Sequence, residues 1–169
     1  ANFFHTALVI HVDLSVLVWI LAFAGVLWSL AATVGYVVIG RLVFAVIALS
    51  AVLIAMAGFL PDANPLMSNY IPVLDSPVFL SGLVLFGLGI GTLVLTAMRL
   101  TPPVGRKISR QGVIRFGLNC AAISVLIALM AFAWSWWTLP ATFSKDVYYE
   151  LLFWGGGHVL QYTYTLLMM

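Results

Sequence analysis

The chain has 169 residues, of which 64% are hydrophobic and only 7% are charged, and its formal net charge is +2. So little charge on so apolar a chain excludes a soluble globular domain and predicts an integral membrane protein. The small net charge gives no reason to expect nucleic acid as a partner. A single cysteine excludes an intramolecular disulfide.

Five apolar stretches are each long enough to cross a bilayer, which takes about 20 predominantly apolar residues in a helix. They predict an all-α, polytopic membrane helix bundle in a single domain. Its five transmembrane helices are expected at about residues 6–34, 36–60, 77–99, 112–138 and 147–169. The chain begins without methionine and ends inside the fifth stretch, so we expect it to be an internal piece of a longer protein.

The links between the stretches predict the orientation of the helices. Residues 99–115 carry five of the seven Lys and Arg residues, whereas residues 61–76 carry acids but neither Lys nor Arg. Because short cytoplasmic links are enriched in Lys and Arg, the 99–115 link is expected in the cytoplasm. The first, third and fifth helices would then run from the outside inwards.

Two histidines, His11 and His158, fall inside predicted membrane spans. An ionisable residue inside a bilayer is costly and is by default a candidate for function. At about 1.5 Å per helical residue, both lie on the order of 10–15 Å below the outer surface. Neutral imidazole binds haem iron, copper and zinc, so two histidines at one depth suit adjacent metal centres. The alternative for each is a hydrogen bond to a neighbouring helix.

The residues around His158 add to this expectation. Gly155, Gly156 and Gly157 each cost a helix roughly 1 kcal/mol relative to alanine, which predicts that something bulky, such as a flat macrocycle or a metal cluster, approaches the backbone there. Tyr162 lies one turn after His158 on the same helical face. A phenol in that position can supply a proton and an electron to a metal-bound imidazole, whereas the alternative is ordinary packing.

Three polar residues near the two histidines are weaker candidates. Asp13 is two residues from His11 and therefore points to a different helix face, while Gln161 and Thr165 follow His158 along the fifth span. We assign all three to hydrogen bonding around the metal ligands or to a proton path. The alternative is a polar contact between or within helices.

Trp154, Gly157, His158 and Tyr162 form a Trp-x-x-Gly-His-x-x-x-Tyr pattern. With this pattern the chain resembles subunit I of the haem–copper oxidase superfamily, and the five spans resemble helices two to six of that larger, twelve-helix-type subunit. The resemblance implies that His158 binds copper B, that Tyr162 is catalytic, and that His11 is an axial ligand of the low-spin haem iron.

The resemblance also implies the cofactors and partners. The cofactors are a low-spin haem, a high-spin haem and copper B. Their sites are completed by residues of later helices, so we expect the chain to be inactive alone. The implied partners are the remainder of subunit I, other oxidase subunits, the lipid bilayer, and cytochrome c or quinol as electron donor. The implied location is the bacterial inner membrane or an equivalent energy-transducing membrane.

The implied function is that of a respiratory terminal oxidase, which reduces O2 to water and couples this to proton translocation. Two departures keep alternatives open. Val159 and Leu160 replace the Pro and Glu of mitochondrial-type oxidases, and Tyr162 stands where well-known nitric oxide reductases have glutamate. The alternatives are a nitric oxide reductase of the same superfamily, which joins two NO into N2O, and a non-enzymatic cytochrome b-type electron carrier.

Overall fold

The computed structural model of the protein describes residues 2–31, 37–61, 63–100 and 110–168. Five helices account for most of these residues. Helix α1 is continuous but changes type along its length, from α-helical Asn2–Val12 to π-helical Asp13–Val18 and back to α-helical Trp19–Ala31. The other helices are α2 (Val37–Ala57), α3 (Pro77–Leu100), α4 (Arg110–Thr138) and α5 (Lys145–Met168). The helical bundle predicted from composition is therefore confirmed.

Helices α1 to α4 each contain a segment that is long and apolar enough to span a membrane: Phe3–Leu30, Val38–Ala57, Pro77–Arg99 and Gly112–Thr138. Helix α5 covers the fifth predicted span but is more polar, with Lys145, Asp146 and Glu150 in its first turns. The count of five spans therefore stays a prediction. The main departure from the predicted boundaries is α1, which begins at Asn2 instead of about residue 6. Most of the basic link, residues 101–109, lies outside the described residues.

Consecutive helices form two closely packed pairs, α2 with α3 and α4 with α5, and α3 joins the pairs by contacting α4. The second half of α1 lies against α3, and the indole nitrogen of Trp28 donates a hydrogen bond to the carbonyl of Leu118 on α4 at 3.1 Å. Large apolar side chains such as Leu30, Phe44 and Leu88 remain exposed on the outside of the bundle. Such a surface is compatible with lipid.

A buried polar pair links α4 to α5. The Thr163 hydroxyl donates to Ser124 Oγ at 2.9 Å, and Ser124 Oγ donates to the carbonyl of Val159 at 3.2 Å. Each hydroxyl therefore has an acceptor although Thr163 is fully buried and Ser124 nearly so. Polar contacts of this kind hold membrane helices together where apolar surfaces gain nothing from leaving lipid.

The link between α2 and α3 contains a short antiparallel hairpin that the sequence did not predict. Strand β1 (Asn64–Leu66) pairs with β2 (Val73–Asp75), with Asn64 opposite Asp75. Val73 and Leu74 are fully buried, and the hairpin contacts α1, α3 and α5. The hairpin, residues 64–75, is therefore packed onto the bundle, where its side chains can contact those of the helices.

Candidate functional site

His158 lies half-buried on α5, with a hydrogen-bond partner for each ring nitrogen. Its Nδ1 is 3.0 Å from the carbonyl oxygen of Trp154, and its Nε2 is 2.8 Å from the hydroxyl of Tyr70. A carbonyl only accepts, so Nδ1 carries the proton and donates to Trp154. In a neutral imidazole Nε2 is then the acceptor, and the Tyr70 hydroxyl donates to it. The Trp154 carbonyl therefore selects the Nδ1–H tautomer, and the Tyr70 hydroxyl complements it.

Tyr70 is the residue of this site that the sequence did not reveal. It sits on the hairpin, and its ring centroid is 4.6 Å from that of His158 although the two residues are 88 positions apart. In the sequence, Tyr70 lies in the acidic 61–76 link, which is predicted on the same side of the membrane as His158. An aromatic residue in that position is equally well explained as one that lies at the membrane interface.

Tyr162, the tyrosine predicted to act with His158, lies on the outside of the described bundle. Its side chain is 70% exposed, and no hydrogen bond or ring contact joins it to His158 among the residues that the structure describes. Gln161 and Thr165 are also exposed, and Thr165 Oγ1 donates to the carbonyl of Gln161 at 3.0 Å. These three residues form an exposed polar stripe on α5, and their roles stay predictions.

The glycines before His158 accommodate bulky neighbours, and these neighbours are aromatic rings of the chain itself. A Cβ atom on Gly157 would lie 2.4 Å from Cβ and Cγ of Tyr70, and one on Gly156 would lie 2.3 Å from the ring of Phe132. For Gly155, in contrast, none of the described residues lies within 4 Å of the same position. Two of the three glycines are thus required for close packing against α5, and one is not.

The hairpin is fixed to the start of α5 by polar contacts. The backbone N–H and the side-chain amide of Asn69 donate to the Glu150 carboxylate at 2.9 and 2.6 Å. Lys145 forms a salt bridge with Asp75, whose hydrogen bond and negative charge raise the pKa of the Lys145 ammonium group above its usual value. Lys145 is therefore charged at neutral pH, and the hairpin is held on both sides of Tyr70.

His11 lies on the exposed surface of α1, in the last turn before the π-helical segment. It opens onto a shallow hollow of about 450 Å³ lined by Leu14, Ser15 and Trp19. Among the described residues there is no group of three or more His, Cys, Asp or Glu side chains that could hold a metal ion. An exposed imidazole can bind a group that lies against the outside of α1, and its predicted role as a haem ligand stays a prediction.

Asp13 is buried, with 1% of its surface exposed, whereas His11 is exposed, so the predicted difference in their helix faces is confirmed. Neither carboxylate oxygen of Asp13 has a hydrogen-bond partner among the described residues. Asp13 begins the π-helical segment, and π-helical turns are frequent at functional sites.

We expect Asp13→Ala to be more stable than the parent protein. Burying a polar group without a partner costs about 1–3 kcal/mol, and alanine removes that cost at the expense of a small cavity. Thermal unfolding in one detergent should therefore show a higher midpoint. Asp146→Ala, which removes an exposed carboxylate at the start of α5, is the matched control and should show no increase. A lower midpoint for Asp13→Ala would mean that its carboxyl group has a stabilising partner.

An apolar cavity of about 720 Å³ lies between α1, α3, α4 and α5. Its walls are formed almost entirely by apolar side chains, including Leu17, Phe86, Ile90, Leu129, Phe132 and Phe153. Phe132 is also the ring that packs on Gly156, two residues before His158. The cavity therefore reaches the stretch of α5 that carries the histidine.

The chain is similar to two bacterial proteins over almost its whole length. It is 28% identical to an uncharacterized protein of Rickettsia prowazekii (strain Madrid E), over 98% of this chain and 37% of that protein. It is 27% identical to an uncharacterized protein of Aquifex aeolicus (strain VF5), over 95% of this chain and 40% of that protein. The chain thus spans about two fifths of the length of these relatives. No protein-family model and no solved structure matches it.

Proposed function

We propose that the chain is part of the catalytic subunit of a membrane haem–copper oxidoreductase, and that His158 binds its copper. The observation that carries the proposal is the hydrogen bonding of the imidazole. Its Nδ1 donates to the carbonyl of Trp154, one turn earlier on α5, and its Nε2 faces the Tyr70 hydroxyl, which a metal would replace. Histidines that bind metals are oriented in this way, because a hydrogen bond at one nitrogen fixes the ring and leaves the other nitrogen basic.

The residues present fit one part of such a site. His158 offers one imidazole ligand, and the pattern of Trp154, Gly157, His158 and Tyr162 supports copper as the metal. One imidazole does not hold copper alone. The relatives are more than twice as long as this chain, and the proposal places the remaining copper and haem ligands in another part of the subunit. When bound, a haem–copper pair supplies the electrons and the binding positions for a gas.

The proposed roles of the other candidate residues follow from where each one lies on α1 or α5. His11, exposed on α1, is proposed as an axial ligand of a low-spin haem that lies against that surface. Tyr162 projects from α5 away from the described bundle and is proposed to donate a proton at the reacting site. Asp13, Gln161 and Thr165 are proposed to hold or pass protons. For the exposed residues His11, Gln161, Tyr162 and Thr165, the remainder of the subunit would provide the facing surface, whereas Asp13 is buried within the described bundle.

The proposed reaction is reduction of O2 to water by a respiratory terminal oxidase, with electrons from cytochrome c or quinol and with proton translocation. The apolar cavity next to Phe132 supports a small apolar gas as the substrate. Reduction of NO to N2O is the second candidate. It stays open because Leu160 stands where mitochondrial-type oxidases have a glutamate, although Tyr162 replaces the glutamate of well-known nitric oxide reductases. The subunit would act in an energy-transducing membrane, such as the bacterial inner membrane, together with other oxidase subunits.

Gas consumption by the purified full-length protein tests this proposal. With ascorbate and a redox mediator as electron source, we expect steady consumption of O2 at a gas electrode. Consumption of NO without consumption of O2 would establish the reductase instead. A protein that consumes neither gas but is reduced and reoxidised by the mediator would be an electron carrier, and the proposal would then be wrong.

A further inference from the structure

We infer that Tyr70 is a positioning residue: from the hairpin, its hydroxyl holds the imidazole of His158 in one orientation. Tyr70 lies outside the Trp154–Tyr162 segment on which the proposed function depends. The contact itself requires no metal, and only its consequence for metal binding rests on the proposed function.

The geometry leaves the imidazole little freedom. Its Nε2 accepts from the Tyr70 hydroxyl at 2.8 Å, and its Nδ1 donates to the Trp154 carbonyl at 3.0 Å. The ring also contacts two aromatic rings, with centroid distances of 4.6 Å to Tyr70 and 4.5 Å to Trp154. Rotation of the ring about its Cβ–Cγ bond would break both hydrogen bonds at once.

Tyr70 is itself held by its contact with α5 and by its two neighbours in the hairpin. The absence of a side chain at Gly157 lets the tyrosine lie directly on the backbone of α5, where a Cβ atom would be only 2.4 Å from it. The preceding residue, Asn69, is bound to Glu150, and the following residue, Ile71, is 4% exposed. These contacts fix the backbone of the hairpin at Tyr70, so the hydroxyl of Tyr70 is held next to His158.

This arrangement has a consequence for metal binding. The Trp154 carbonyl can only accept, so it keeps the proton on Nδ1, and the Tyr70 hydroxyl donates to the unprotonated Nε2. A metal bound by His158 would therefore take Nε2 and replace the hydrogen bond from Tyr70. Tyr70 thus holds the ring in position in the metal-free protein.

The test is ¹⁵N NMR of histidine in the full-length protein labelled with [¹⁵N]histidine and freed of copper by a chelator. The His158 signals are assigned by their loss in His158→Asn. In the parent we expect one protonated nitrogen, Nδ1, and one hydrogen-bonded acceptor, Nε2. In Tyr70→Phe, which keeps the ring on Gly157, Nε2 loses its hydrogen-bond donor. Its ¹⁵N chemical shift should therefore move further from the range of protonated nitrogens, while Nδ1 stays protonated.

Tyr148→Phe is the matched control, because it removes a half-buried phenol of α5 that contacts Tyr149 instead of His158. It should leave the His158 signals unchanged. The inference would be overturned if Tyr70→Phe left them unchanged too, or if Nε2 carried the proton in the parent. Either result would leave the copper proposal standing. Conversely, a protein without copper that shows the expected shift would refute the proposed function but not the role of Tyr70.

Discussion

We expect Gly157→Ala to destabilise the bundle by about 1–2 kcal/mol, although alanine is the better helix former by about 1 kcal/mol. The added Cβ atom would lie 2.4 Å from Cβ and Cγ of Tyr70. These atoms are next to the tyrosine backbone, so the clash cannot be relieved by rotation of the ring. The hairpin would have to move away from α5, and the hydrogen bond between Tyr70 and His158 would lengthen or break.

The two neighbouring glycines provide matched controls for this prediction. Gly155→Ala adds the same methyl group into open space and should gain up to about 1 kcal/mol from helix propensity alone. Gly156→Ala meets the outer atoms of the Phe132 ring, which can shift more easily, so its effect should lie between the other two. The thermal unfolding midpoints of the three variants in one detergent give the order of their stabilities, which we expect to be highest for Gly155→Ala and lowest for Gly157→Ala. Equal stability for Gly157→Ala and Gly155→Ala would contradict the packing that we describe at Tyr70.

Much of the fold could be predicted from composition because the bilayer imposes a simple rule on helix length. A span of about 20 apolar residues is visible without knowledge of any tertiary contact. Helices α2 to α4 accordingly lie close to their predicted boundaries. The different faces of His11 and Asp13 were predictable as well, since residues two positions apart cannot share a face of a regular helix.

The features that could not be predicted depend on contacts distant in sequence. Strands β1 and β2 have three residues each, which is too short for an alternating pattern to be recognised. The partnership of Tyr70 with His158 joins residues 88 positions apart. Gly156 and Gly157 have bulky neighbours as expected, but these are the rings of Phe132 and Tyr70 and not a macrocycle or a metal cluster, and Gly155 meets no described residue. Helix α5 is helical as predicted, but its polar first turns leave its status as a membrane span a prediction.

The largest effect that we expect is the loss of copper from His158→Asn. A divalent metal site loses most of its affinity when a ligand is removed, since mutation of residues that only support the ligands already costs roughly 10–100-fold. Haem should be retained, because His158 is not assigned to a haem iron. His11→Asn should give the reverse, with loss of the low-spin haem and retention of copper. His5→Asn, which changes an exposed histidine at the start of α1, should alter neither.

Copper and haem content per chain of the purified full-length protein, measured for the parent and for His158→Asn in parallel, tests the central proposal most directly. A haem–copper site that includes His158 predicts copper together with two haems in the parent, and haem without copper in the variant. A parent that contains no copper, or a variant that retains as much copper as the parent, would contradict the assignment of His158 as a copper ligand.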